Sequence, residues 1–411
     1  MTPTPLIHAL NLNLRSHWRL SLAAAATLGS AALLVACGGG GGASEAAAVA
    51  PAGAVSYAQG VVSGFGSVIV GGVRYDDSKA AVVDADDSAL PVTKLGLGTM
   101  LMVDAGAVDR SSNTAVAMRF RVSDEVLGKV SSVDITAQTL VVLGQTVVVN
   151  ASTVFDSSLT AGLTSALVGT VLEVHGTADA TSGKVTATRI ESAAAATSYH
   201  LRGTVGALDT AAKTFKIGGA TISYAGLVAA DVLATLANSV VVRVALATVP
   251  SGSTWAAAAL RGDRRLPTSN TDSHIEGAIT VFTSSAAFEI GGVKVNAGAA
   301  TFPDGTAGIV LGARVEVTGT LSSGTLVATK VELDDKPSAG FKRPLELHGA
   351  LSALDTTAKT FTLRTVTVSY GGSVTYKNGS AADLANGKNV DVYGVLSSDR
   401  KKLEASRIEF R

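Results

Sequence analysis

The sequence predicts an all-β protein in which five small barrel-like repeats follow an export leader. One strand pattern recurs five times at a spacing of about 70 residues. A basic, apolar leader closes on the single cysteine of the chain. Composition agrees with a folded, polyanion-indifferent protein, because 47% of residues are apolar, 16% are charged, Gly reaches 44 and Pro only 9. Lys plus Arg and Asp plus Glu number 33 each, and the two leader arginines removed leave 31 basic against 33 acidic residues. Neither sign dominates, so no nucleic-acid partner is expected.

Residues 1-36 read as an address. Arg15 and Arg19 supply its positive start, and Leu20 to Ala36 form an apolar stretch ending in small residues. Leu34, Val35 and Ala36 followed by Cys37 resemble the bacterial lipobox, which implies acylation of the Cys37 thiol and cleavage before it. A single membrane-spanning helix is the competing reading of the same stretch. Acyl chains at ~0.8 kcal/mol per buried CH₂ would hold the protein firmly on a membrane. Gly38, standing where a retention signal would place Asp, implies the outer membrane. Residues 37-57, rich in Gly and Ala, read as a tether with a reach of about 25 Å.

The repeats are expected at 58-123, 124-192, 199-262, 275-334 and 345-411. Gly60, Gly128, Gly203, Gly277 and Gly349 open them, and Gly203 to Phe215 (GTVGALDTAAKTF) nearly duplicates Gly349 to Phe361 (GALSALDTTAKTF). In the fifth, Leu345 to Leu354 alternates as a half-buried strand, Asp355 to Lys359 turns, and Thr360 to Tyr370 returns as a strand. A short strand near Val374 to Tyr376, an Ala/Leu insert at Ala381 to Ala385, and strands at Asn389 to Gly394 and Leu403 to Phe410 follow. Three strands, an insert and two strands is the order of a five-stranded OB-like barrel. A small sandwich per repeat and a continuous solenoid are the alternatives.

The last strand changes parity: Leu403 and Ala405 fall on one face, Ile408 and Phe410 on the other, which requires a β-bulge at Ser406-Arg407. A basic residue marks the shift at Arg119, Arg189, Lys330 and Arg407, and the fourth strand repeats an acid at Glu173, Glu316 and Asp391. These predict cross-strand ion pairs Glu173 with Arg189, Glu316 with Lys330 and Asp391 with Arg407, with register as their role. A polar ligand-binding rung is the functional reading of the same residues. Met102 and Arg243 replace the acid in repeats one and three. Arg261 to His274, Asp334 to Pro344 and Ser192 to Ser198 read as linkers, giving beads on a string, with docking of neighbouring barrels the alternative that such short linkers leave open.

Chemistry is sparse. After the leader only His175, His200, His274 and His348 remain, without metal-ligand spacing, so neither metal nor cofactor is expected. His200 and His274 stand where Glu125 and Glu346 stand in other repeats and read as solvated first-strand residues. Gly64-Phe65-Gly66 and Gly71-Gly72 lie in a hairpin rather than before a helix, which argues against a phosphate loop. Arg261-Gly262-Asp263 spells an adhesive tripeptide in an apparent linker. Trp255, the one tryptophan after the leader, is a thin basis for stacking on sugars.

With lipobox, tether and the repeated GxV…TF…VEVxG…RIE pattern together, the chain resembles bacterial lipoproteins built from DUF5666, an uncharacterised family. The resemblance implies an envelope location and a repeated fold, without an activity. The expected function is non-enzymatic: a lipid-anchored outer-membrane protein offering barrel faces to an envelope protein partner. A glycan binder is the alternative. Cys37→Ala is expected to abolish incorporation of labelled palmitate in growing cells while the polypeptide is still synthesised, read by autoradiography of the immunoprecipitated chain.

Overall fold

Alternation along each strand sorts its side chains between barrel and exterior. In the first strand of repeat five, Leu345–Asp355, the leucines 345, 347 and 351 share one face and are buried. The computed structural model describes residues 53–179, 182–263, 267, 269–333, 345–364 and 366–411. Leu34, Val35, Ala36 and Cys37, most of the tether and the expected linker at 334–344 lie outside the described residues.

Pairing closes that strand into a ring. It runs antiparallel to Thr360–Leu363, which pairs with Val366–Ser369; this third strand lies parallel to the last, Leu403–Phe410. The last strand returns through Asn389–Leu396 to the first. The order around the barrel is therefore 1-2-3-5-4, the OB arrangement. The same ring recurs in repeat one, repeat two and repeat four. Repeat three follows it with its first strand broken into Tyr199–Thr204 and Gly206–Asp209. Between strands three and four, the insert is a single 3-10 turn at Val92–Lys94, Ser165–Leu167, Ala229–Asp231 and Ala381–Asp383.

Two sequence regularities acquire physical causes. Gly394 faces Ala405 and Tyr393 faces Arg407, so Ser406 is the extra residue of a bulge. Met118, Thr188, Ala258 and Thr329 are the extra residues at the corresponding places. Each bulge bends the last strand so that it can lie beside both the fourth and the third. In four of the five repeats the opening glycine is a packing requirement: a Cβ on Gly128 or Gly203 would overlap Leu143 or Ile217, and on Gly277 or Gly60 it would come within 2.8 or 2.9 Å of Ile290 or Val70, whereas at Gly349 the space is open and the φ of 142° is what favours glycine. Those aliphatic groups plug the barrel where strand one crosses it.

Two expectations need correction. Thr360 to Tyr370 is not one strand but two, turned at Arg364, whose φ is 56°. Other repeats announce this turn with Gly71-Gly72, Gly218-Gly219 or Gly291-Gly292; repeat five carries no glycine there, so the signal was missing.

Nor are the repeats beads on a string. Ser56–Gln59 of repeat one pairs in parallel with Asp272–Ile275 of repeat four, Gly64 and Phe65 pair with Glu346 and Leu347 of repeat five, and Val126 and Leu127 of repeat two pair with Leu201 and His200 of repeat three. The cause is an edge. The start of strand one is bonded to strand four on one side, while strand two reaches only its later half. Its other side presents unpaired N–H and C=O groups that a neighbouring strand satisfies. The expected linker Arg261 to His274 is largely strand, because Thr254–Gly262 and Ser269–Ser284 extend into it. One apolar core accordingly runs through repeats one and five and another through two and three, while the core of repeat four includes Tyr57 and Met102 of repeat one.

Glycine turns set how closely the barrels approach. Gly71 has φ 56° and a Cβ there would overlap the His274 ring, and one on Gly66 would overlap His348. Gly183, at φ 68°, has nothing within 4 Å of its Cβ position. Both substitutions to Ala strain the backbone, yet only Gly71→Ala also overpacks. Gly71→Ala is expected to destabilise the protein by about 1–3 kcal/mol more than Gly183→Ala, measured as urea midpoints.

Candidate functional site: a charged seam around repeat one

Residues of strands one, four and five that point away from each barrel would face water in an isolated repeat. Here neighbouring repeats cover them, and Glu173, His175, Glu191, Arg202, His274, His348 and Asp391 are all buried. Repeat one supplies a charged residue to each neighbour. Lys94 Nζ lies 2.7 Å from Glu173 of repeat two, and Asp86 lies 3.0 Å from Arg243 of repeat three. Arg110 bonds Asp272 on the first strand of repeat four, and Arg74 bonds Glu346 of repeat five. A charge buried without such a partner would cost several kcal/mol.

The expected ion pairs are corrected by the register. Glu173 faces Glu191, Glu316 faces Glu332 and Asp391 faces Glu409, so acid stands opposite acid. The basic residues Arg189, Lys330 and Arg407 lie two residues along, opposite His175, Thr318 and Tyr393. Arg189 reaches Asp156 at 3.3 Å, Lys330 reaches Glu332 at 2.8 Å, and the Arg407 guanidinium stacks 3.7 Å from the centre of the Tyr393 ring. A direct pair across the bulge does form in repeat one, where Arg119 donates to Asp104 at 2.9 and 2.7 Å.

At the junction of repeats one and two the cluster is deepest. His175 is fully buried, with Nδ1 2.9 Å from the Ser123 carbonyl and Nε2 3.0 Å from Glu191 Oε1 and 3.5 Å from Glu173 Oε1. Burial alone would lower the affinity of the ring for a proton, but the Glu191 hydrogen bond and both carboxylate charges override it and raise the pKa. Burial likewise pushes the Glu191 carboxyl up, and the His175 bond and charge, with Arg189 and Lys94, outweigh it and hold the group at about 2. Glu173, His175 and Glu191 bring one ligand atom each within 4.8 Å of one another, the spacing of a cation site. The Lys94 ammonium, 2.7 Å from Glu173 and 3.9 Å from Glu191, already supplies that positive charge. As the side chains stand, the cluster is an ion-paired seam.

Arg202 organises the next junction. It donates to Glu125 Oε2 at 3.0 Å, to Asp263 at 2.7 and 2.9 Å and to the Gly291 carbonyl at 3.1 Å, linking repeats two, three and four. Asp263 is therefore engaged and not displayed as part of an adhesive tripeptide. Arg202, Arg243 and Arg261 form a cross-strand row in repeat three where repeat four carries Glu276, Glu316 and Glu332. A small cleft of about 60 Å³ opens beside it, lined by Asp84, Asp86, Asp124, His200, Arg243 and Arg261 among others. His200 is exposed as expected, but His274 is buried against Gly71 rather than solvated. His348 lies 2.7 Å from both Glu346 and Asp391. Trp255 is half-buried with its ring 5.8 Å from that of Tyr199.

The sequence marks the acids of strand four and the basic residues of strand five but pairs them wrongly. Lys94, Asp86, Arg110 and Arg74 carried no signal, since each lies in or beside a turn and meets its partner only through docking.

A family model described as Domain of unknown function (DUF5666) matches residues 128–191, 276–332 and 348–409. No curated protein matches the chain. The matched spans are repeats two, four and five, whereas repeats one and three, which replace the seam acid by Met102 and Arg243, fall outside them.

Arg202→Met removes the guanidinium that bonds the buried Glu125 carboxylate and is expected to cost about 3–5 kcal/mol in urea unfolding. Adding Glu125→Gln to that variant should recover part of the loss, since the buried carboxylate is then neutral.

Proposed function

From the membership of its second, fourth and fifth repeats in the DUF5666 family, we propose that this protein is a non-enzymatic, lipid-anchored scaffold of the bacterial envelope. Cys37 carries the anchor at the outer membrane, and the docked barrels present their free faces to an envelope protein. One observation carries the reading: the buried Glu125, Glu173 and Arg202 side chains join one repeat to another. Such a set of contacts favours one body of fixed shape over separate reaction sites, and fixed shape suits a surface that must meet a partner in one geometry. Exposed valines supply apolar contact on that surface. Val116 of repeat one and Val327 of repeat four occupy the same register, each just before an inward alanine, and are 56% and 42% exposed.

In-cell crosslinking of the tagged full chain, with Cys37→Ala as control, tests this reading. A stoichiometric envelope protein recovered with the wild type and lost with the control is the expected outcome. Recovery of polysaccharide alone would replace the protein partner by a glycan.

A further inference from the structure

The junction between repeats one and two consists of the last strand of one, Thr114–Val122, the residues Ser123 to Glu125, and the first strand of the other, Val126–Asp134. Ser123 and Glu125 are buried although they connect two barrels. Their backbone is held from both sides. Ser123 N–H donates to the Met100 carbonyl and Glu125 N–H to the Val174 carbonyl, while the Ser123 carbonyl accepts from the His175 ring.

Both ring nitrogens of His175 face acceptors. A carbonyl oxygen lies at Nδ1 and a carboxylate oxygen at Nε2, and neither can donate. Only the doubly protonated ring satisfies both at once. Charge agrees with this. Glu173 and Glu191 carry two negative charges, which Lys94 and a protonated His175 balance, while Arg189, 3.7 Å from Glu191, is also engaged by Asp156. A neutral ring would leave Lys94 alone between two facing carboxylates and turn a lone pair toward either Ser123 or Glu191. The other charged groups at this place are Asp124, whose pKa burial and then Glu173 raise, the exposed His200 beside it, and Glu125, which is paired with Arg202.

We propose that His175 is a proton-operated clamp on the junction of repeats one and two: its imidazolium ties Ser123 to Glu191, and loss of the proton releases the junction. The direction follows from linkage. The folded pKa is raised, so the clamp is complete below the unfolded value of ~6.5 and is lost as pH rises through the folded value. Glu191, held at about 2, stays ionised throughout that window. The clamp acts on the Ser123–Glu125 connection between two barrels and is independent of what the protein binds.

The test is an NMR titration of the full chain labelled with ¹⁵N-histidine, combined with hydrogen exchange corrected for the intrinsic pH dependence of amides. The His175 ring is expected as imidazolium at pH 6 with its midpoint above ~6.5. Protection of the Glu125 amide should fall by about tenfold or more through that same midpoint. His175→Gln, which cannot take the charge, should show low protection at every pH. A single neutral tautomer at pH 6 would overturn the proposal, as would an exchange transition away from the His175 midpoint. Both of those readings come from the wild-type chain and hold even where the variant does not fold.

Discussion

The burial of charge between barrels is the constraint on which the rest depends. An OB-like ring closes its own apolar interior, and nothing inside one repeat requires a second. What couples them is the polar exterior of strands one, four and five. Once covered, every ionised group there needs a counter-charge at contact distance, because an unpaired one would cost as much as a sizeable part of the whole folding free energy. Lys94 meets that need at Glu173, and Asp86, Arg110 and Arg74 add partly exposed pairs from repeat one to repeats three, four and five, which makes repeat one the hub of the assembly. The arrangement is specific as well as stabilising: sliding one barrel by a residue pair would set Glu173 and Glu191 against each other without Lys94.

Backbone pairing acts in concert with the seam. The unpaired edge at the start of strand one could join any strand, and edge pairing alone selects no partner. Parallel pairing of repeat one with repeats four and five places the turns holding Gly66 and Gly71 against His348 and His274, where only a glycine leaves room. Edge, glycine and charge therefore agree on one register. That agreement accounts for continuous apolar cores crossing the repeat boundaries.

Repeats one and three differ from the other three for a structural reason. Repeat one carries Met102 where others have an acid, and Met102 packs into the core of repeat four. Repeat three carries Arg243 and Arg261 there, and Asp86 of repeat one answers Arg243. Divergence from the shared pattern thus occurs where a repeat serves its neighbours as well as itself.

Much of a single repeat was legible in the sequence. Period-two alternation gave the strands, and the parity change between Ala405 and Ile408 located the bulge, because both arise within one strand and its immediate partner. The opening glycines marked the unit before their role as space for Leu143 and Ile217 was known. The hairpin at Arg364 was not legible, since its turn lacks the glycine that the other repeats use. The ion pairs were misassigned by two residues because which residues of strands four and five face each other is set by how the two strands pair. What only the tertiary structure decided is the relation between repeats: Lys94 reaching Glu173 and Arg202 joining Glu125 to Asp263 link residues tens of positions apart through docking, and docking leaves no period in a chain. Local periodicity determined the barrel, whereas non-local desolvation of charge determined how five barrels became one body.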